Sequence, residues 1–273
     1  WFTNSNYLEF PWGKDDKAFF EGALDYVGEL KKQKQPWMLT LLTVGTHQPY
    51  SAPEEYLERY ETPKQAAVGY LDDALEQFLS GLERQGVLKD TLVVITSDES
   101  HGIDGVRLAS SWGFNLTLAP EHEQLPRLNK GVYGHVDLST SILDYFDLPV
   151  PTALSGRSLF RDYDSGREIM SFTNGKLRYH NGQGIFSECD MPRRCRYYES
   201  AGFIAESATY KGKYCGHPDR QIAGRANALD LSLLRTPLNH RYQFGSTNVI
   251  PLQAQIKDDW ADNLIGAQYL EMP

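Results

Sequence analysis

Residues 93–102 read VVITSDESHG. The run Val93, Val94, Ile95, Thr96 is apolar and β-branched, which favours a strand. It stops at Ser97, and Asp98, Glu99 and His101 follow at once. Such a strand tip has two readings. Asp98 caps an ordinary turn and Glu99 is solvated, or the tip carries hard oxygen ligands for a divalent cation such as Mn2+, Mg2+ or Zn2+.

The segments before it set the fold class. Ala67, Leu71, Ala74, Leu75, Phe78 and Leu82 form one apolar stripe at helical spacing, with Gly86 near the stop. Ahead of that helix, WMLTLLTV (37–44) is a continuous apolar run bounded by Pro36 and Gly45, the pattern of a buried strand. Strand, helix and strand over residues 37–98 fit a right-handed crossover between parallel strands. Ligands of open parallel sheets sit beyond the carboxyl ends of the strands, and His47 and Asp98 both lie just past such ends.

Further upstream, Asp15 or Asp16 caps a helix carrying Phe19, Phe20, Ala23, Leu24, Val27 and Leu30 inward. SAPEEYLERYETP (51–63) reads as a polar excursion, and Asp72 and Asp73 read as a solvated helix face. Residues 103–134 read as loop-rich. HVDLSTSILDYFDLP (135–149) is a further helix, capped by Asp137 or Ser139, with Ile142, Leu143 and Phe146 inward. Residues 165–225 alternate short segments with Gly, Tyr and charged residues, as hairpins of an antiparallel region do.

Composition narrows the function. The chain has 273 residues and a net charge of −9, which opposes non-specific binding to nucleic acid. No run of about 18 apolar residues marks a membrane span. P-loop, GxSxG, GxGxxG and CxxC patterns are absent from the sequence, so nucleotide-triphosphate and hydride chemistry have no support. The first residues, WFTNSNYLEFPWG, read as a piece of a longer protein. Cys189, Cys195 and Cys215 leave three states open: a disulfide closing CDMPRRC, reduced thiols, or zinc with His217.

Four histidines are candidates for chemistry. His47 in VGTHQPY can donate to a phosphoryl oxygen or act as an acid or base; otherwise it is a loop histidine satisfied by backbone. His101 lines the tip loop. His135 stands just before a helix N-terminus, where an anion docks. His122, in a charged stretch, reads as surface. NLT (115–117) is a formal glycosylation sequon with a high chance rate.

In order, the segments FPWGKDDKAFFEGALDYV, PWMLTLLTVGTHQPY, AAVGYLDDALEQFLSGLERQGVLKDTLVVITSDESHG and GHVDLSTSILDYFDLPVPTALSGRSLF resemble the sulfatase-like transferases of the alkaline phosphatase superfamily. The likeness is greatest to the lipoteichoic acid synthase and phosphoglycerol transferase group, over residues 7–160. It implies an α/β fold: a central, mainly parallel sheet flanked by helices, with a smaller C-terminal antiparallel region. It implies that residues 1–160 are the C-terminal portion of a catalytic domain and 161–273 a β-rich subdomain with an irregular tail. The head-group histidine of S-x-H-x-P-Y falls on His47, and the metal-binding D-H pair falls on Asp98 and Glu99. His101 and His135 are the remaining substrate-binding candidates.

The same resemblance implies transfer of a phosphoglycerol-type head group from a lipid donor to a glycan or lipid acceptor, through a covalent phospho-enzyme. The ion is Mn2+, or else Mg2+ or Zn2+. The resemblance further implies an extracytoplasmic (periplasmic or cell-surface) domain of a bacterial protein anchored by upstream membrane helices. The family's nucleophile lies upstream of this chain, and Glu99 stands where the family has His. Two alternatives follow: a phosphate or sulfate ester hydrolase, and a non-catalytic binding domain.

Overall fold

The computed structural model describes residues 8–10, 12–98, 113–129, 131–152, 154–164, 167–173, 176–182, 185–190, 194–199 and 211–215. The chain divides into two compact units, Trp1–Leu128 and Asn129–Pro273. The boundary expected at residue 160 follows the extent of the resemblance, which is a different division.

The first unit opens with a two-residue antiparallel pair, β1 (Glu9–Phe10) and β2 (Gly13–Lys14). Helix α1 (Asp16–Leu30) follows, then the short α2 (Glu54–Arg59) and the long α3 (Pro63–Arg84). Asp15 caps α1 by accepting the N–H of Lys17 at 2.8 Å. Thr62 and Gln65 form a reciprocal capping box on α3, with Pro63 at its first position. Gly86 closes α3 at φ +70, a left-handed conformation that suits glycine.

The expected stripes make the core. Phe20, Ala23 and Val27 of α1 meet Ala74, Phe78 and Leu82 of α3, with Val87 beneath. Phe20 and Phe78 stack with ring centroids 4.7 Å apart. Each such large apolar side chain contributes about 1.5–3 kcal/mol on burial. A second cluster holds Ala52, Ala66 and Tyr70, with Val44, Tyr56 and Tyr60 packed on it.

Three expectations for this unit need correction. Residues 37–44 are in no strand ladder among the described residues. Trp37, Leu39 and Leu41 pack on the helical core, but Met38 and Leu42 are 77% and 70% exposed. A continuous apolar run signals a strand covered on both faces, and the described residues cover one. Second, β3 (Val93–Thr96) is half-buried and pairs antiparallel with β4 (Asn115–Leu118), inside the stretch expected to be loop. Every described strand pair is antiparallel. Third, Asp73 does not stay solvated by default: it accepts the Tyr56 hydroxyl at 2.5 Å, which pushes that phenol up to about 12.

The second unit carries α4 (Val136–Tyr145) and a five-stranded antiparallel meander. Its strands are β5 (Ile169–Thr173), β6 (Lys176–His180), β7 (Ile185–Asp190), β8 (Arg194–Glu199) and β9 (Lys211–Cys215). This is the antiparallel region expected from the hairpin pattern. Cys189 is disulfide-bonded, and its register partner on β8 is Cys195. The open choice of states is settled for Cys189 in favour of a disulfide.

Helix α4 departs from its expected faces. Neither Asp137 nor Ser139 caps it: His135 is the N-cap residue and makes no side-chain cap bond. Phe146 is 52% exposed, while Asp137, Thr140 and Ser141 are buried. The polar face turns inward because the returning segment bonds to it. Arg157 N–H donates to Asp137 at 2.7 Å, and Leu159 N–H donates to Ser141 Oγ at 2.8 Å.

Candidate active site

His47 sits in the turn that follows residues 37–44, and several groups build that turn. Asp16 is buried at the start of α1 and faces the turn: Oδ1 accepts the Val44 N–H at 2.9 Å and Oδ2 the Gly45 N–H at 2.8 Å. Burial pushes the Asp16 carboxyl up, and the two N–H donors pull against that. The turn closes on itself through His47 N–H to Val44 O and Tyr50 N–H to His47 O, both at 3.0 Å. Asp15 braces the same helix end, since the Tyr70 hydroxyl lies 2.8 Å from both its oxygens.

The imidazole itself is exposed, and its Nδ1 lies 2.9 Å from Gln48 O. A carbonyl only accepts, so Nδ1 carries the hydrogen. In the neutral ring Nε2 is then the acceptor, able to take a hydrogen bond or a proton from a hydroxyl. Donation from Nε2 to a phosphoryl oxygen requires the imidazolium. The Trp12 indole lies against His47, centroids 4.4 Å apart and planes at 54°, and its Nε1–H donates to the same Gln48 carbonyl at 2.8 Å.

Asp98 lies two residues past the end of β3, after Ser97, and is exposed. Glu99 and His101 lie outside the described residues. His135 is exposed at the N-cap of α4, in the second unit, and His122 is on an exposed 3-10 turn, as expected for a surface residue. Among the described residues no three His, Cys, Asp or Glu lie together as a metal-holding group. Asp98 offers the right donor chemistry, a hard carboxylate oxygen, but a single carboxylate is not a complete site.

Asp16, Trp12 and Gln48 escaped the sequence reading. Asp16 looked like an alternative cap, and the contacts of Trp12 and Asp16 cross 36 and 29 residues of chain. Only the placement of WG just before the capped helix hinted at them.

The sulfatase family model matches residues 1–148, more than half of the 273. The chain belongs to the sulfatase family. Among its relatives is the lipoteichoic acid synthase of Staphylococcus saprophyticus, 34% identical over 94 residues, covering 32% of this chain and 14% of that protein. Human N-sulphoglucosamine sulphohydrolase is 31% identical over 126 residues, covering 41% of this chain and 25% of that protein. A solved alkaline phosphatase superfamily protein from Vibrio parahaemolyticus shares the fold, with TM-score 0.66 and 20% identity over 85% of this chain and 57% of that one. The expected likeness to the lipoteichoic acid synthase group and the sulfatase-like fold are both met. This sulfatase-family chain spans less than two thirds of each of those three proteins.

Proposed function

We propose that the complete protein transfers a phosphoglycerol-type, or related phospho, head group from a lipid donor to a glycan or lipid acceptor. The observation that carries this reading is the 34% identity to a lipoteichoic acid synthase within a chain of the sulfatase family. Asp98 and Glu99 supply part of the ligand set of a divalent ion, Mn2+ first and Mg2+ or Zn2+ next. When bound, such an ion offsets charge on phosphoryl oxygens.

His47 is the head-group contact. Its neutral ring, with Nδ1–H on Gln48 O, offers Nε2 to a hydroxyl of the head group or of the acceptor. Its protonated ring donates to a phosphoryl oxygen. His101 and His135 are secondary substrate contacts. The nucleophile comes from a part of the protein outside this chain, and with it a membrane anchor that places the domain outside the cytoplasm. The disulfide at Cys189 supports an oxidising compartment.

A second reading, phosphate or sulfate ester hydrolysis, is favoured by the likeness to a sulphohydrolase. The test incubates the complete protein with Mn2+, a phosphoglycerol lipid labelled in its head group, and a glycolipid acceptor. Label on the acceptor supports transfer. Free labelled head group supports hydrolysis. Lipid left intact, with no Mn2+ bound by calorimetry, supports a binding domain.

A further inference from the structure

The Trp12–His47 contact has a built geometry. Two ring donors, the indole Nε1–H and the imidazole Nδ1–H, converge on one carbonyl, Gln48 O, at 2.8 and 2.9 Å. The ring centroids lie 4.4 Å apart with the planes tilted at 54°. Trp12 is held just before α1, where β2 and the Asp15 cap fix the backbone, yet its side chain is 60% exposed.

We propose that Trp12 is a positioning residue for His47. Its Nε1–H orients the Gln48 carbonyl, that carbonyl holds the imidazole hydrogen on Nδ1, and the indole contact hinders the ring flip that would take Nδ1 away from that carbonyl and release the proton to Nε2. Nε2 is thereby kept as the acceptor for a substrate hydroxyl. This rests on the reading of His47 as the head-group contact, which it sharpens: the hydroxyl donates and His47 accepts. In a transfer step the acceptor oxygen forms its bond to phosphorus, the leaving oxygen departs with its electron pair, and the hydroxyl proton passes to Nε2.

Two measurements on the complete protein test this. The first is nitrogen NMR of 15N-histidine protein above the imidazole titration range, with the His47 signals assigned by their loss in His47→Gln. Wild type is expected to show a protonated-type Nδ1 and a bare-type Nε2. Trp12→Ala is expected to move both signals toward the opposite tautomer. Trp12→Phe, which keeps a ring but no N–H, is expected to fall between them. The second measurement is turnover. Trp12→Ala is expected to lower kcat about tenfold or more when His47 is present, and less than about twofold in a His47→Gln background.

Unchanged His47 nitrogen signals in Trp12→Ala overturn the proposal. So does an equal loss of turnover in both backgrounds, which marks Trp12 as merely structural. Full turnover by His47→Gln, with nitrogen signals that still follow Trp12, instead overturns the reading of His47 and leaves the Trp12 contact standing. The two failures are therefore distinct.

Discussion

Asp16 Oδ2 accepts the Gly45 N–H at 2.8 Å, and this bond spans 29 residues of sequence to tie the start of α1 to the turn that bears His47. With Oδ1 on Val44 N–H, one buried carboxylate satisfies two neighbouring backbone donors. Asp16→Ala leaves both donors without that acceptor. It should cost about 2–3 kcal/mol in urea unfolding, since bonds to charged groups are worth about 1.5–3 kcal/mol each and orphaned donors add a penalty. Asp16→Asn drops the buried charge and keeps one acceptor oxygen, so it should lose less than the alanine variant. Equal losses would show that the bond kept by the asparagine oxygen contributes nothing.

Asp137 plays the corresponding part in the second unit. It is fully buried and accepts from Gly134 N–H at 2.8 Å, from Arg157 N–H at 2.7 Å and from the Arg167 guanidinium. Removing one partner of a buried pair strands the other, at about 3–5 kcal/mol. Asp137→Ala should therefore lower the stability of this unit by about that amount in thermal unfolding. A loss below about 1 kcal/mol would mean that the carboxylate is replaced by water, as at a surface pair.

Gly156 is a steric prediction. A Cβ there would collide with the Val136 carbonyl oxygen and lie 3.0 Å from Asp137 Cα. Backbone of a helix end cannot give way as a flexible side chain does. Gly156→Ala should destabilise the second unit by about 1–3 kcal/mol, the usual cost of overpacking. Its circular-dichroism melting midpoint reports this, and an unchanged midpoint would place the loop farther from α4.

His180 sets a pH dependence. It is buried on β6, its Nδ1 accepts the Gly182 N–H at 2.9 Å, and burial holds its pKa below the ordinary 6.5. A depressed folded-state pKa means that the unfolded chain binds the proton more readily. The stability associated with the neutral ring is thus complete above about pH 6.5 and is lost as the pH falls below it. Urea midpoints of the second unit should decline from about pH 7 to about pH 5. His180→Asn should flatten that decline, and an equally steep one would assign it to other groups.

The sequence was most readable where one physical pattern acts alone. The apolar stripes of α1 and α3 packed as the helical period requires, because Phe20, Phe78 and Leu82 are apolar side chains whose burial against one another is what the period predicts. The hairpin region became β5–β9 because turn residues punctuate it. Phe146 pointed outward and Asp137 inward because hydrogen bonds from Arg157 and Arg167 outweigh the apolar pattern of a ten-residue helix, and those donors lie 20 and 30 residues away. Residues 37–44 show the same limit: a run of apolar residues tells of cover on two faces, not of which segments provide it. The positions of His47 and Asp98 after apolar runs were legible, whereas Trp12 and Asp16, which hold the His47 turn, are joined to it only by folding.

The central claim is that Asp98 serves a metal-dependent head-group transfer. The most direct measurement is turnover of a head-group-labelled phosphoglycerol lipid by the complete protein in Mn2+, wild type against Asp98→Ala, with both shown by circular dichroism to be equally folded. The account predicts transfer by the wild type and a fall of at least about a hundredfold in the variant. Equal turnover by the two proteins would contradict it.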